Sequence, residues 1–118
     1  MDDAVIFIGT FRIPSAETWL PAIEGMRDFV EENVPRVRSF HAYVNQDQTE
    51  GTVMYEHADA VSLDEHLRVA AERIDEGTQI VEVVRIDLLG RPSAATLERL
   101  SRQPAPVTVR HHLLGFTR

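Results

Sequence analysis

With 118 residues, 43% of them apolar and 26% charged, the chain is long enough for one packed domain, residues 1–118, and too short for two of ordinary size. A net charge of -7 without a Lys/Arg cluster argues against a phosphate-tracking surface, and so against nucleic acid as a partner. The lack of cysteine excludes disulfides, thiolate nucleophiles and Cys-based metal sites, and no segment approaches the roughly 18 apolar residues of a membrane span.

The start, Met1-Asp2-Asp3, is acidic where an export signal would be basic, so the expected compartment is the cytoplasm. Val5 to Phe11 is an apolar, β-rich run stopped before Pro14, and predicts the first strand. Ser15 is placed to cap a helix over 16–33, in which Trp19, Leu20, Ile23, Met26, Phe29 and Val30 recur at spacings of three and four. Pro21 fits only a first turn, which puts the expected start nearer Trp19. Beyond Pro35, Val37 to Val44 and Gly51 to His57 predict two strands joined by the polar turn 45–50.

Ser62 is expected to cap a second helix running to about Glu76, with Leu63, His66, Leu67, Ala70 and Ile74 as its inward stripe and Gly77 as its stop. Gln79 to Leu89 predicts the fourth strand. After Gly90 and Pro92 come a short helix over 93–102, a Pro-rich link, and a last strand over 107–116 that either extends the sheet edge or crosses to a partner subunit. Two βαβ halves separated by a hairpin form a ferredoxin-like α+β fold, βαββαβ, here with an extra C-terminal helix and strand. That topology covers one sheet face with helices and leaves the other bare, and a bare apolar face predicts a homodimer packed sheet against sheet.

The chemistry rests on His and aromatic residues. Alternation groups Val37, Ser39, His41 and Tyr43 on one strand and Val53, Tyr55 and His57 on the next. If the hairpin pairs symmetrically about its turn, position 41 opposes 55 and 43 opposes 53, which makes His41, Tyr43, Tyr55 and His57 neighbours. His66 and Trp19 approach the same face from the inward stripes of their helices. The expected result is a cavity with flat walls and imidazoles titrating near neutrality, suited to deprotonating a phenol or enol. His111 and His112 point to opposite faces, and an edge or interface role is expected for them. No His-x-His pair, His-Glu-x-x-His helix, glycine-rich phosphate loop or Gly-x-Ser-x-Gly elbow occurs, so neither metal nor organic cofactor is expected.

Several phrases carry a family likeness: the strand Val5-Ile6-Phe7-Ile8-Gly9-Thr10-Phe11, His57-Ala58-Asp59-Ala60 ahead of Ser62-Leu63-Asp64-Glu65-His66-Leu67, Leu89-Gly90-Arg91-Pro92-Ser93, and the tail from His111 to Arg118. In these the chain resembles the dimeric α+β barrel superfamily, particularly a largely uncharacterised bacterial branch of antibiotic-biosynthesis-monooxygenase-like (ABM-like) proteins. The resemblance implies a dimeric barrel. It also implies a choice among cofactor-independent quinol or anthrone oxygenases, haem-degrading enzymes, lactone isomerases and polyketide cyclases. The haem-degrading pattern of an Asn on the first strand with a Trp and a His on the second helix is matched only by His66, since Gly9 and Thr10 occupy the strand and Trp19 lies on the first helix. The anthrone-oxygenase pattern of an Asn and a Trp near the second helix is unmatched as well, since Asn33 lies at a helix end and Asn45 in a turn. A different site is needed, and the expectation is a cofactor-independent monooxygenase acting on a planar aromatic or polyketide-like molecule. His66 or His57 would be the base and Tyr55 a catalytic neighbour, with Trp19, His41 and Tyr43 binding substrate. A cyclase or isomerase of the same fold, or a non-catalytic ligand-binding dimer, is the alternative.

Overall fold

The computed structural model describes residues 3–118, so Met1 and Asp2 of the acidic start lie outside the described residues. The chain runs β1 (Val5–Arg12), α1 (Ala16–Asn33), β2 (Val37–Val44), β3 (Glu50–His57), α2 (Ala60–Val69), α3 (Ala71–Gly77), β4 (Glu82–Leu89), α4 (Ala94–Leu100) and β5 (Val107–Arg110). The sheet order is β2-β3-β1-β4-β5, antiparallel except for β4 with β5. This is the ferredoxin-like α+β arrangement with the fifth strand added at one edge.

Alternation along the strands separates the faces. Val5, Val53, Tyr55, His57, Ile86 and Leu88 are buried on the face that receives the helices, whereas Ile6, Ile8, Thr52 and Met54 point the other way and are half-buried. The helix side holds two core clusters. One joins Val5, Ile86 and Leu88 to Leu63 and Leu67 of α2 and Leu100 of α4; the other joins Val53 and Tyr55 to Trp19 and Val30 of α1. Phe7 packs against both. At Gly51 a Cβ would stand 3.2 Å from the Trp19 ring, so the missing side chain lets the indole lie on β3.

Local chemistry sets most element ends, and in five places differently from expectation. α1 begins at Ala16, with the Ser15 hydroxyl accepting from the Thr18 N–H, and passes through Pro21. Pro21 is exposed, so the carbonyl it leaves unpaired can be met by solvent. The cap of the second helix is Asp59, whose carboxylate accepts from the Ser62 N–H and pairs with Arg36; Ser62 is free for another task. The single helix expected to Glu76 is two, α2 and α3, meeting at Ala70. β4 starts at Glu82, three residues late, because 78–81 form a turn. β5 ends at Arg110, and the tail from His111 to Arg118 has no regular structure and is exposed.

The hairpin register matters most for function. Asn45 caps the turn, its side-chain oxygen accepting from the Thr49 and Glu50 N–H groups, and its own N–H donates to the Glu50 carbonyl. Pairing 45 with 50 puts Phe40 opposite Tyr55 and Ala42 opposite Val53, one residue out from the symmetric expectation. A shift of one residue moves a strand's side chains to the other face.

Candidate active site

His41 and Tyr43 are consequently not neighbours of Tyr55 and His57. They pair with Met54 and Thr52, are exposed, and stack on each other on the bare face with centroids 6.3 Å apart. Phe40 takes the place expected for His41, its ring 5.0 Å from Tyr55. Of the six candidate residues, the structure brings His66, Tyr55 and Trp19 to one cavity, sets His57 directly behind His66, and removes His41 and Tyr43.

The cavity measures about 1050 Å³ and lies between the sheet and the helices, lined by residues of both core clusters. Phe7, Phe11, Trp19, Val53, Leu63 and Leu67 make its walls apolar. Arg73, Asp75, Glu76, Glu82 and Arg99 also border it, so it reaches the surface through a charged mouth. Arg73 is held there over the Phe29 ring, 4.7 Å from its centroid.

Two polar residues, Tyr55 and His66, interrupt the apolar lining. The Tyr55 ring meets the His66 ring edge-on, with centroids 4.5 Å apart. His66 is 3% exposed, and its Nε2 is a buried side-chain atom without a hydrogen-bond partner. Burying such a group unpaired is costly, which sets Nε2 apart from the other buried polar atoms of the described residues. On its other side His66 is held firmly: Nδ1 lies 3.4 Å from Nε2 of His57, and Nδ1 of His57 lies 3.2 Å from the Ser62 hydroxyl. His57 and Ser62 are completely buried and border no part of the cavity.

Burial pushes His66 down to about 4. His57 falls to about 3, through burial first and then the like charge of His66, with Asp59 acting weakly in the opposite sense. Neither imidazole titrates near neutrality as expected from the sequence; both are neutral at physiological pH. Burial raises Tyr55 as well, so its phenol keeps its proton. The cavity thus presents a neutral imidazole and a neutral phenol, side by side.

Ser62, expected from the sequence as a helix cap, instead lies in line with the two histidines. The signal was present in Asp59-Ala60-Val61-Ser62, where Asp59 three residues earlier is the better cap, and in the spacing of four that sets Ser62 and His66 on one helix face. Asp64 is a further case. Its carboxylate accepts from Ser93 and Thr96, both at 2.6 Å, and so fastens α2 to the start of α4 behind the site. Among the described residues, no group of three or more His, Asp or Glu side chains is placed to hold a metal ion.

Comparison with solved structures fixes the class of fold. MupZ from Pseudomonas fluorescens is similar over the whole of this chain and 91% of its own, with a TM-score of 0.73 and 20% identity. SnoaB from Streptomyces nogalater, a cofactor-independent oxygenase, matches 78% of this chain and 96% of its own at a TM-score of 0.67 and 11% identity. A protein from Deinococcus radiodurans, provisionally named an antibiotic biosynthesis monooxygenase, matches 76% of this chain and 94% of its own at 0.56 and 16%. The chain has the fold of ABM-like proteins. No family model matches the sequence, nor does any curated protein.

Proposed function

We propose that this protein is an enzyme that binds a planar, mostly apolar aromatic or polyketide-like carbonyl compound in the cavity and oxygenates it with dioxygen, using no resident metal or organic cofactor. The observation that carries this reading is the buried, unpartnered Nε2 of His66, a residue that lines an apolar cavity with its ring edge-on to Tyr55. The likeness to SnoaB supports the reaction class. An anthrone-like substrate loses a proton from carbon to solvent through the mouth, and its oxygen, now bearing enolate charge, rests against His66. The electron-rich carbon adds dioxygen and a proton to give a hydroperoxide, which loses water to leave a new carbonyl. One dioxygen is consumed and one water is formed. A preorganised polar contact inside an apolar cavity favours the charge that develops on that oxygen.

Oxygen uptake and product formation with a panel of anthrones and quinols test the proposal. Turnover that falls roughly 10²-fold in His66→Phe, which removes the ring nitrogens, with the fold intact, is the expected result. Rearrangement or ring closure without oxygen consumption would assign a cyclase or isomerase instead, and no turnover on any compound would leave a binding protein.

We also propose that the protein acts as a homodimer joined through the bare sheet face. Ile6, Ile8 and Met54 are only half-buried there, and Leu113, Leu114 and Phe116 of the adjoining tail are fully open to solvent. Covering such a face with a second copy buries on the order of 1,600 Å² in total, the size of a stable interface. Sedimentation at micromolar concentration decides between dimer and monomer.

A further inference from the structure

Ser62, His57 and His66 form a line of three side chains whose protons can be accounted for one by one. Among the described residues the Ser62 hydroxyl has one hydrogen-bonding partner, Nδ1 of His57, and Nε2 of His57 has one, Nδ1 of His66. Each neutral imidazole carries one proton, so only two arrangements make both links. In the first, Ser62 donates to His57, His57 donates from Nε2 to His66, and the proton of His66 sits on Nε2, the atom without a partner, in a residue that lines the cavity. In the second, His66 donates from Nδ1, His57 donates to the Ser62 oxygen, and the hydroxyl proton of Ser62 is left in a fully buried position with no acceptor. The second arrangement strands two buried groups and the first strands only Nε2 of His66, so complete hydrogen-bond accounting selects the first.

We infer that Ser62 is a positioning residue which, through His57, keeps the proton of His66 on Nε2, so that the cavity offers an N–H donor and takes ligands with an acceptor oxygen, such as a carbonyl or the enolate formed from it. The inference rests on the cavity being the ligand site, and it reverses the role expected from sequence, in which His66 is a base. A neutral imidazole held as a donor stabilises negative charge on oxygen and leaves removal of the carbon-bound proton to water. The Tyr55 ring lies edge-on to His66, with centroids 4.5 Å apart, and forms part of the same wall.

The tautomer is read from long-range proton–nitrogen NMR of the intact protein labelled with nitrogen-15 in its histidine rings, with His66→Phe assigning the His66 signals. A protonated Nε2 and bare Nδ1 on both His57 and His66 is the expected result; a proton on Nδ1 of His66 would overturn the inference. In Ser62→Ala both rings should relax to mixtures of tautomers, and Ser62→Thr, which keeps a hydroxyl, should restore the single form. An unchanged His66 signal in Ser62→Ala would remove Ser62 from the account. Should neither variant fold, the wild-type spectrum still decides where the proton sits.

The ligand class is tested with fluorenone and fluorene, planar molecules that differ by one carbonyl oxygen. Binding is followed by the fluorescence of Trp19, which is the sole tryptophan and lines the cavity. Fluorenone should bind roughly tenfold more tightly, with the difference erased in His66→Phe; equal affinity in the wild type would refute the donor. None of these readouts involves turnover, so the relay can stand where oxygenation fails, and oxygenation can stand where the relay fails.

Discussion

The two faces of the central hairpin carry similar residues and put them in opposite circumstances. Tyr55 and His57 of β3 point under the helices, where Tyr55 is 6% exposed and His57 not at all; Tyr43, one strand away, is 55% exposed. A histidine and a tyrosine two positions apart therefore form part of a buried polar site on one side and an open stacked pair on the other. Residue type alone does not make chemistry. Burial removes water as a partner and leaves Nε2 of His66 unpaired inside, which is the feature on which the proposed function rests.

Substitutions across the two faces should separate them sharply. The largest effect is expected from His66→Phe, which removes the ring nitrogens, with turnover down roughly 10²-fold, against less than a twofold change from His41→Gln. Equal losses from the two would end the distinction between the faces. Next in size is the bare face itself: Met54→Glu, which sets a charge among Ile6, Ile8 and Thr52, should convert a dimer to monomer in sedimentation and leave the helix-side core intact. A dimer that persists in this variant would mean that the copies meet elsewhere.

Acid should unfold the buried side. Well above pH 6.5 His57 and His66 are neutral in both the folded and the unfolded chain. As pH falls from about 6.5 towards 4 and 3, the unfolded chain takes up protons at positions 57 and 66 while the folded one does not, so folded stability is lost across that window. A fall in Tm on the order of 10 °C between pH 7 and pH 4 is expected, and a flatter profile when both histidines are replaced by Gln. A profile of equal slope in that double variant would place the acid sensitivity outside this pair. Smallest is the cap: Asp59→Ala removes the acceptor for the Ser62 N–H and the partner of Arg36, and should lower the denaturant midpoint slightly without changing the slope of the transition.

Much of the fold was legible from local pattern. Strands announce themselves by β-branched and aromatic runs, α1 by its stripe through Trp19 and Val30, and chain ordering then leaves few topologies. His66 was legible for the same reason, as a polar residue interrupting the apolar stripe of Leu63, Leu67 and Ala70. The tertiary structure decided the hairpin register, because the pairing of Asn45 with Glu50 depends on hydrogen bonds made inside the turn, and that single step sent His41 and Tyr43 to the far face. It also decided the ionisation of the site. Sequence spacing can bring two imidazoles and a serine onto neighbouring elements, but only their packed distances show that His57 and Ser62 are sealed behind His66. Desolvation, which a sequence does not display, holds the imidazoles neutral.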